Sequence, residues 1–312
     1  MREIETVTLV GLGAMGAFFT PGLTAALGSG FRVLAEGERK KRLERGVAIN
    51  GQPVPVHVVE PGDDTGPADL VIIAVKDYAL DQALAQMANQ VGPDTILLPV
   101  LNGMTCVHRT GAVYGPEKVL HASMWVAASM DDGVAVYDSE HGLIRFGEAK
   151  NDTLSPRVQA VEALFRRAGI RYKIEPDMVR CQWLKFMGNV SENLPCALLG
   201  VPYGAYQMGG GADALRQAAM GEVAAVAKAA AGVELGAADM AVRDGVVARQ
   251  DPASRPSTLQ DLDRKKPTEV DLFAGYVVEL GRQYGVPTPV CQVLLHGIHV
   301  LEAKNRGEVP GL

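Results

Sequence analysis

The sequence predicts an α/β protein in which an N-terminal doubly wound parallel sheet is followed by a C-terminal all-helical domain. Three observations lead to this fold class. Apolar runs alternate with helical segments in the first half of the chain, and a glycine-rich turn follows the first of these runs. From Met178 onward, helical periodicity dominates the sequence. We therefore expect one domain over residues 1–176 and a helical domain over residues 177–312.

The first predicted strand ends in a turn that carries three glycines, Gly11-Leu12-Gly13-Ala14-Met15-Gly16. In this spacing the first glycine makes the bend, the second lets the backbone approach a pyrophosphate, and the third permits close packing of helix on strand. Amide groups at the start of the next helix, predicted over residues 14–27, would face the phosphates. An ordinary strand-to-helix turn is the alternative. The pattern favours a Rossmann-type dinucleotide-binding domain, in which Pro21 should bend or shorten the first helix.

The rest of the first domain follows from apolar runs, which are typical of parallel strands buried on both faces. Strands are predicted over residues 31–35, 69–75, 95–100, 119–130, 135–137, 143–146 and 171–174. Helices are predicted over residues 78–91 and 155–168. The segment 47–59, which is rich in valine and proline, is expected to form an irregular strand pair at the margin of the sheet.

Composition excludes several classes of function. The chain has 312 residues, of which 47% are hydrophobic, and a net charge of -6 with a pI of about 5.6. No block of Lys and Arg is long enough to bind a nucleic-acid backbone. The one dense basic run, residues 39–42, suits either a solvated helix face or contacts with a cofactor phosphate. The first strand begins close to the N-terminus and no apolar stretch reaches the ~20 residues of a membrane span, so we expect a cytoplasmic protein.

The cysteines and histidines do not form a metal-binding pattern. The four cysteines are scattered along the chain without C-x-x-C spacing, at Cys106, Cys181, Cys196 and Cys291. The six histidines do not cluster with them. Such spacing is typical of buried thiols in a reducing compartment, so we expect neither a metal site nor a disulfide framework.

Four residues lie just past the ends of predicted strands, at Gly11, Glu36, Lys76 and Asn102. In an open α/β sheet, ligands bind at the carboxyl ends of the strands, so these positions are candidates for cofactor contacts. A polar residue at a strand end is usually only solvated. Here the convergence of an ammonium and a carboxamide with the glycine turn favours a binding role.

A second candidate region begins at Gln182, where Lys185, Asn189 and Asn193 recur every four residues along a largely apolar segment. On a helix, these three side chains share one face. A solvent-facing stripe is the alternative to a polar ridge that points into a cleft between the two domains. A partly desolvated lysine on such a ridge would give a proton readily to a substrate oxygen.

The third candidate region contains Ser257 and Glu269. Ser257 could instead cap a helix, and Glu269 could be a carboxylate in the first turn of a helix, behind Pro267 at its first position. Spacing alone does not choose between these structural roles and a functional one.

With these stretches, the chain resembles the ketopantoate reductases (2-dehydropantoate 2-reductases) over nearly its whole length. The glycine turn, Asn102-Gly103, the polar ridge, and Ser257 twelve residues before Glu269 follow the order of that family. The run Gly142-Leu143-Ile144-Arg145-Phe146-Gly147-Glu148 is similar to the family's late strand in the nucleotide domain.

The resemblance implies hydride transfer from NADPH or NADH to the 2-oxo carbon of ketopantoate, with Lys185 as the general acid. The implied cofactor contacts are residues 11–16, Glu36, Lys76 and Asn102. The implied substrate contacts are Asn102, Asn189, Asn193, Ser257, which binds the carboxylate, and Glu269, which helps to organise the site. The implied partner is a small 2-oxo acid, and the helical domain is compatible with a homodimer.

Three positions depart from the family pattern and leave the 2-oxo acid and the cofactor preference open. Ser254 stands where the family usually has a substrate-binding asparagine, and Pro267 interrupts a helix that usually continues into the Thr-Glu pair. Glu36 replaces a usual arginine. The resemblance slightly favours NADP(H), whereas a carboxylate at this position favours the ribose hydroxyl of NAD(H).

Three other functions remain as alternatives. A reductase of another branched 2-oxo acid would use the same residues. A β-hydroxyacid dehydrogenase shares the glycine turn and a Lys-x-x-x-Asn helix, but it gives no reason for Asn193, Ser257 and Glu269. A non-catalytic dinucleotide sensor would not need Lys185.

Overall fold

A computed structural model of the chain describes residues 3–131 and 133–311. The chain divides into two compact units, Met1–Cys181 and Gln182–Leu312. The division falls within a helix that begins at Met178, two residues after the domain boundary expected near residue 176. The segment between the strands predicted over residues 119–130 and 135–137 includes Asp132, which lies outside the described residues.

The first unit alternates strands and helices. Its strands are β1 (Val7–Val10), β2 (Phe31–Leu34), β3 (Val47–Ile49), β4 (Gln52–Val54), β5 (Val58–Val59), β6 (Leu70–Ile73), β7 (Ile96–Pro99), β8 (His121–Trp125), β9 (Ala128–Asp131), β10 (Val134–Tyr137), β11 (Leu143–Gly147) and β12 (Tyr172–Ile174). Its helices are α1 (Ala14–Leu27), α2 (Gly37–Glu44), α3 (Leu80–Gln86), α4 (Cys106–Tyr114) and α5 (Pro156–Arg167). Short 3-10 turns lie at Gly28–Gly30, Asp77–Ala79, Ala88–Gln90 and Pro116–Lys118.

The main sheet is parallel and has the order β5-β2-β1-β6-β7. The chain runs outward from β1 to one edge and then returns to β6, so the switch point lies between β1 and β6. All residues of β1, β2, β6 and β7 are buried, as expected for strands covered on both faces. This topology confirms the predicted doubly wound sheet.

The segment 47–59 was only partly predicted. Only β5 lies at the margin of the main sheet, whereas β3 and β4 form a hairpin in a separate sheet of order β4-β3-β10-β9. The hairpin turns at Asn50-Gly51, where both residues have positive φ (48° and 76°). Asn-Gly is the preferred pair for such a turn because both residues tolerate this conformation. The Asn50 side chain also exchanges hydrogen bonds with the backbone of Tyr137 in β10.

Two further details refine the sequence-based expectations. Helix α1 continues through Pro21 to Leu27, so the proline does not shorten it. A third sheet has the order β12-β11-β8. It lies beside β7, where the Leu120 amide donates a hydrogen bond to the Leu97 carbonyl at 2.9 Å.

Helices connected by irregular segments make up the described residues of the second unit. Its helices are the end of α6 (Met178–Gly188), α7 (Leu194–Leu199), α8 (Gly204–Gln207), α9 (Gly211–Ala231), α10 (Ala237–Arg249), α11 (Ser257–Asp263), α12 (Tyr276–Tyr284) and α13 (Pro289–Asn305). Two π-helical turns, Asn189–Asn193 and Asp271–Gly275, directly precede α7 and α12. In the described residues of the whole chain, every helix is too short or too polar to span a membrane.

Helix α9 lies at the centre of this unit and packs against α12, α13 and the first π-helical turn. Its buried face includes Met220, Val223 and Val226. The carboxylate of Glu222 accepts hydrogen bonds from the Val290 and Cys291 amides, at 2.7 and 2.8 Å. A side chain of the central helix therefore satisfies backbone donors that have no acceptor within α13.

Candidate functional site

The glycine turn of the first unit has the close contacts that its sequence predicts. Gly11 has a φ of +99°, and a Cβ atom there would lie 2.8 Å from the Ala74 carbonyl oxygen. A Cβ atom on Gly16 would lie only 2.3 Å from the carbonyl oxygen of Gly11. Neither position accepts a side chain without a shift of the backbone. Glycine at these two positions therefore lets α1 start close against β1 and β6.

Gly13 differs from its two neighbours, because a Cβ atom there would meet no protein atom within 4 Å. The fold itself does not require glycine at this position. Gly13 is the N-cap of α1, and the amides of the first helical turn have no acceptor within the helix. An open N-terminus without a side chain fits the close approach of a pyrophosphate. The residues present thus fit a dinucleotide cofactor.

The structure brings the predicted cofactor residues of the first unit to one edge of the sheet. Val10 pairs with Leu34 and with Ile73, and Ile73 pairs with Pro99, so the four strands end in register. The candidates follow these strand ends, at Gly11, Glu36, Lys76 and Asn102. Glu36 and Lys76 are exposed, and Asn102 is half-buried.

Glu36 is held in place by a contact that the sequence analysis did not identify. Its Oε1 atom accepts a hydrogen bond from Gln86 Nε2 at 2.6 Å, across 50 residues of sequence. Two cations of the nearby basic run also have acidic partners. Lys40 lies 3.1 Å from Glu60, and Lys41 lies 2.6 Å from Glu38. These contacts leave fewer cations of the basic run available to bind a phosphate.

In the second unit, the three residues of the predicted ridge lie on a largely buried segment. Lys185, Asn189 and Asn193 are half-buried. The side chains around them are buried, at Trp183, Phe186, Met187 and Val190. A fully solvated stripe would be exposed, whereas these three side chains are partly covered. Lys185 lies in α6, and the two asparagines are the first and last residues of the first π-helical turn.

Ser257 and Glu269 lie on elements that pack against this turn. Ser257 is the first residue of α11, and its side chain makes no capping hydrogen bond, because Pro256 occupies the N-cap position. Glu269 directly precedes the helical segment that contains the second π-helical turn, and its carbonyl oxygen accepts a hydrogen bond from the Phe273 amide at 3.1 Å. Both α11 and the second π-helical turn contact the first one.

Two residues of this unit, Pro267 and Ser254, depart from the family pattern, and they lie in different structural surroundings. Helix α11 ends at Asp263, and Pro267 lies in the irregular segment before Glu269, so it is not the first residue of a helix. Ser254 is half-buried, and its carbonyl oxygen accepts a hydrogen bond from the Tyr203 amide at 3.0 Å.

Sequence reasoning missed three residues that support the ridge: Glu192, Tyr206 and Arg243. Glu192 forms a buried ion pair with Arg243, 51 residues further along the chain. Tyr206 hydrogen-bonds to the backbone of the first π-helical turn. These partners are 14 and 51 residues apart in the sequence, so no local residue pattern predicts their contacts. Among the described residues, no group of three or more His, Cys, Asp or Glu side chains could hold a metal ion.

Two family models match the chain, one in each part. The model described as Ketopantoate reductase PanE/ApbA matches residues 7–151. The model described as Ketopantoate reductase PanE/ApbA C terminal matches residues 177–302. Together they cover most of the sequence.

Individual relatives agree with these models. The chain is 26% identical to a 2-dehydropantoate 2-reductase of Mesorhizobium japonicum, over 93% of this chain and 95% of that protein. It is 28% identical to a 2-dehydropantoate 2-reductase of Vibrio cholerae, over 75% of this chain and 78% of that protein. A solved PanE/ApbA family ketopantoate reductase from Ralstonia eutropha has a TM-score of 0.81 at 25% identity, over 96% of this chain and 99% of that one.

Proposed function

The chain belongs to the ketopantoate reductase family, and from that membership we propose that it reduces ketopantoate to (R)-pantoate with a nicotinamide dinucleotide. The observation that carries this proposal is the ridge of the second unit. There a lysine and two asparagines are half-buried on a segment in which most of the other side chains are buried. A cation and two amides on one apolar segment are suited to a small, oxygen-rich anion.

Lys185 is the residue to which we assign the proton transfer. When bound, the reduced nicotinamide supplies the hydride that adds to the 2-oxo carbon. The electron pair of the carbonyl double bond moves to the oxygen, and Lys185 Nζ donates a proton to that oxygen. Before the proton moves, the ammonium also stabilises the developing negative charge. The lysine then regains its proton from solvent.

The other candidates would bind and orient the two ligands. We assign Asn189, Asn193 and Ser257 to the substrate, with Ser257 at its carboxylate. Glu269 would help to organise this part of the site. In the first unit, we assign residues 11–16, Glu36 and Lys76 to the cofactor, and Asn102 to both the cofactor and the substrate.

For the cofactor, we propose that both NADPH and NADH are used, with a slight preference for NADPH. Family membership favours NADPH. The carboxylate of Glu36 accepts hydrogen bonds from a ribose hydroxyl and repels a phosphate in the same place. Arg39 and Arg42 are the basic residues that would oppose this repulsion, because Lys40 and Lys41 have acidic partners.

The test is an absorbance assay for oxidation of NADPH and NADH, with ketopantoate and a panel of other branched 2-oxo acids. The proposal expects ketopantoate to give the highest kcat/KM. A higher value for another 2-oxo acid would reassign the substrate. Activity with 3-hydroxy acids and the oxidised cofactor would instead indicate a β-hydroxyacid dehydrogenase. Cofactor binding without turnover on any acid would indicate a sensor.

We also propose that the protein acts in the cytoplasm and as a homodimer. Light scattering of the purified chain tests the second part, because a monomer at micromolar concentration would contradict it.

A further inference from the structure

The helix that carries the ridge is interrupted at one place. In a regular α-helix, the Cys196 amide would donate a hydrogen bond to the carbonyl oxygen of Glu192. Here the hydroxyl of Tyr206 lies between them: it donates to the Glu192 carbonyl at 2.6 Å and accepts from the Cys196 amide at 3.1 Å. Pro195, next to Cys196, has no amide hydrogen to give to Ser191. An inserted hydroxyl and a proline thus coincide with the π-helical turn Asn189–Asn193.

Tyr206 is held firmly in this position. Only 3% of its surface is exposed. Its ring packs edge-to-face with Tyr203, with the centroids 6.0 Å apart, and the Arg216 guanidinium lies 5.6 Å from its centroid. Burial raises the pKa of the Tyr206 hydroxyl well above its ordinary value, so the hydroxyl keeps its proton at physiological pH. It can therefore act as a permanent donor to the Glu192 carbonyl.

The side chain of Glu192 provides a second attachment for the same turn. Its two carboxylate oxygens accept hydrogen bonds from Nε and Nη2 of Arg243, each at 2.6 Å. Glu192 is 2% exposed and Arg243 is 7% exposed. A Cβ atom on Gly188 would lie 2.4 Å from Arg243 Nη2, so the guanidinium packs directly over the helix backbone. Glycine at position 188 leaves the space that this ion pair occupies.

Both attachments act on Glu192, between the two asparagines of the ridge. A buried ion pair is expensive to desolvate and is often replaceable by apolar residues without loss of stability. Stability alone therefore gives a weak reason for this arrangement. A better reason for the ion pair is the π-helical turn, because this turn sets the direction in which the side chains of Asn189 and Asn193 point away from the helix.

We propose that Tyr206 is a positioning residue for the substrate, and that its hydroxyl, with the Glu192–Arg243 ion pair, fixes the turn that presents Asn189 and Asn193. This inference rests on the proposed function, since it assumes that the ridge binds the 2-oxo acid. Tyr206 itself does not have to touch substrate or cofactor.

The test compares Tyr206→Phe with the matched control Tyr284→Phe, whose tyrosine is 44% exposed. Removal of the hydroxyl leaves a buried amide and a buried carbonyl without their partner. We expect KM for ketopantoate to rise about ten-fold in Tyr206→Phe, with the cofactor Kd within two-fold of wild type. The control should change neither value. A lower Tm with an unchanged KM would overturn the proposal, because Tyr206 would then only fill the core.

A second variant covers the case in which Tyr206→Phe does not fold. Gly188→Ala pushes the Arg243 guanidinium away from the helix without deleting any hydrogen-bonding group. Gly221→Ala is its control, because a Cβ atom on Gly221, in α9, meets nothing within 4 Å. We expect the same rise in KM for Gly188→Ala, and an unchanged KM would overturn the role of the ion pair.

Amide hydrogen exchange separates this inference from the proposed function. If wild type reduces none of the 2-oxo acids, the proposed function fails, but the exchange of residues 189–196 still reports on the turn. We expect this exchange to be at least about ten-fold faster in Tyr206→Phe than in wild type, with α9 unchanged. Equal exchange in both proteins would mean that the hydroxyl does not hold the turn.

Discussion

The two candidate regions, one in each unit, are built by different means. At the cofactor edge of the first unit, the decisive groups belong to the backbone: Gly11 and Gly16 allow the close approach of strand and helix, and Gly13 leaves an open helix N-terminus. At the ridge of the second unit, the decisive groups are buried side chains, namely Tyr206, Glu192 and Arg243.

This difference has a functional consequence that can be measured. Where the backbone itself forms the binding surface, as at the glycine turn, any added side chain should weaken cofactor binding, even one as small as a methyl group. A ridge built on side chains should instead be sensitive to the loss of single polar groups. Substitutions in the first unit should therefore change cofactor binding, and those in the second unit should change substrate binding or turnover.

The largest effect is expected at Lys185. Lys185→Ala should lower kcat by roughly 100-fold or more, because removal of a positioned acid costs on the order of 10²- to 10⁴-fold. Cofactor affinity, measured by fluorescence titration, should stay nearly intact, since this residue belongs to the second unit. If turnover with ketopantoate stays within a few-fold of wild type, Lys185 has a structural role and the ridge is not catalytic.

The glycine turn should give the next largest effect. Gly13→Ala should raise the cofactor Kd about ten-fold, equivalent to ~1.4 kcal/mol, by placing a methyl group where the pyrophosphate approaches. Its Tm should not change, because that methyl group meets no protein atom. Gly16→Ala should lower both affinity and Tm, since its methyl group overlaps the Gly11 carbonyl. Gly62→Ala, in open space, is the control. Unchanged affinity in Gly13→Ala would remove the turn from the cofactor site.

Ser257→Ala and Glu269→Gln should have intermediate effects that are confined to the substrate. Each should raise KM for the 2-oxo acid by about three- to ten-fold or lower kcat to a similar extent, because each removes one polar contact. The measurement is steady-state kinetics at saturating cofactor, together with a cofactor titration. Equal losses of cofactor affinity in both variants would indicate residues that merely hold the fold together.

The smallest effect is expected at Glu36, which is exposed to solvent. Glu36→Arg should shift the ratio of kcat/KM for NADPH over NADH towards NADPH by about two- to five-fold, since exposed charge contacts contribute up to ~1 kcal/mol. Glu117→Arg is the control, because it makes the same change in charge at an exposed acid that lies near Pro93 and Asp94, at the opposite end of the strands. An unchanged ratio in Glu36→Arg would mean that this carboxylate does not face the ribose.

The comparison also explains what could be predicted from sequence. The glycine turn and the strand ends depend on residues that are close together in the chain, and the order of apolar runs predicted the doubly wound sheet. The hairpin at Asn50-Gly51 also had a local signal, but the segment was interpreted as a margin of the main sheet. Its pairing with β10 depends on residues far away in sequence.

The ridge was predicted as a row of polar residues, whereas its π-helical geometry was not. Polar residues that recur every four positions, as Lys185, Asn189 and Asn193 do, fit a regular α-helix equally well. Their spacing therefore does not reveal a hydroxyl group inserted into the helix. Tyr206 follows Glu192 by 14 residues, and Arg243 follows it by 51. Only the folded chain brings these partners together.

Transfer of the hydride from the cofactor to ketopantoate can be followed with an isotope label. Wild type is mixed with ketopantoate and a reduced cofactor that carries deuterium in both positions at C4, and the product is analysed by mass spectrometry. We expect pantoate with one deuterium on its 2-carbon, formed in wild type and at least about 100-fold more slowly in Lys185→Ala. Pantoate without deuterium, or no pantoate while another 2-oxo acid of the panel gains the label, would contradict this expectation.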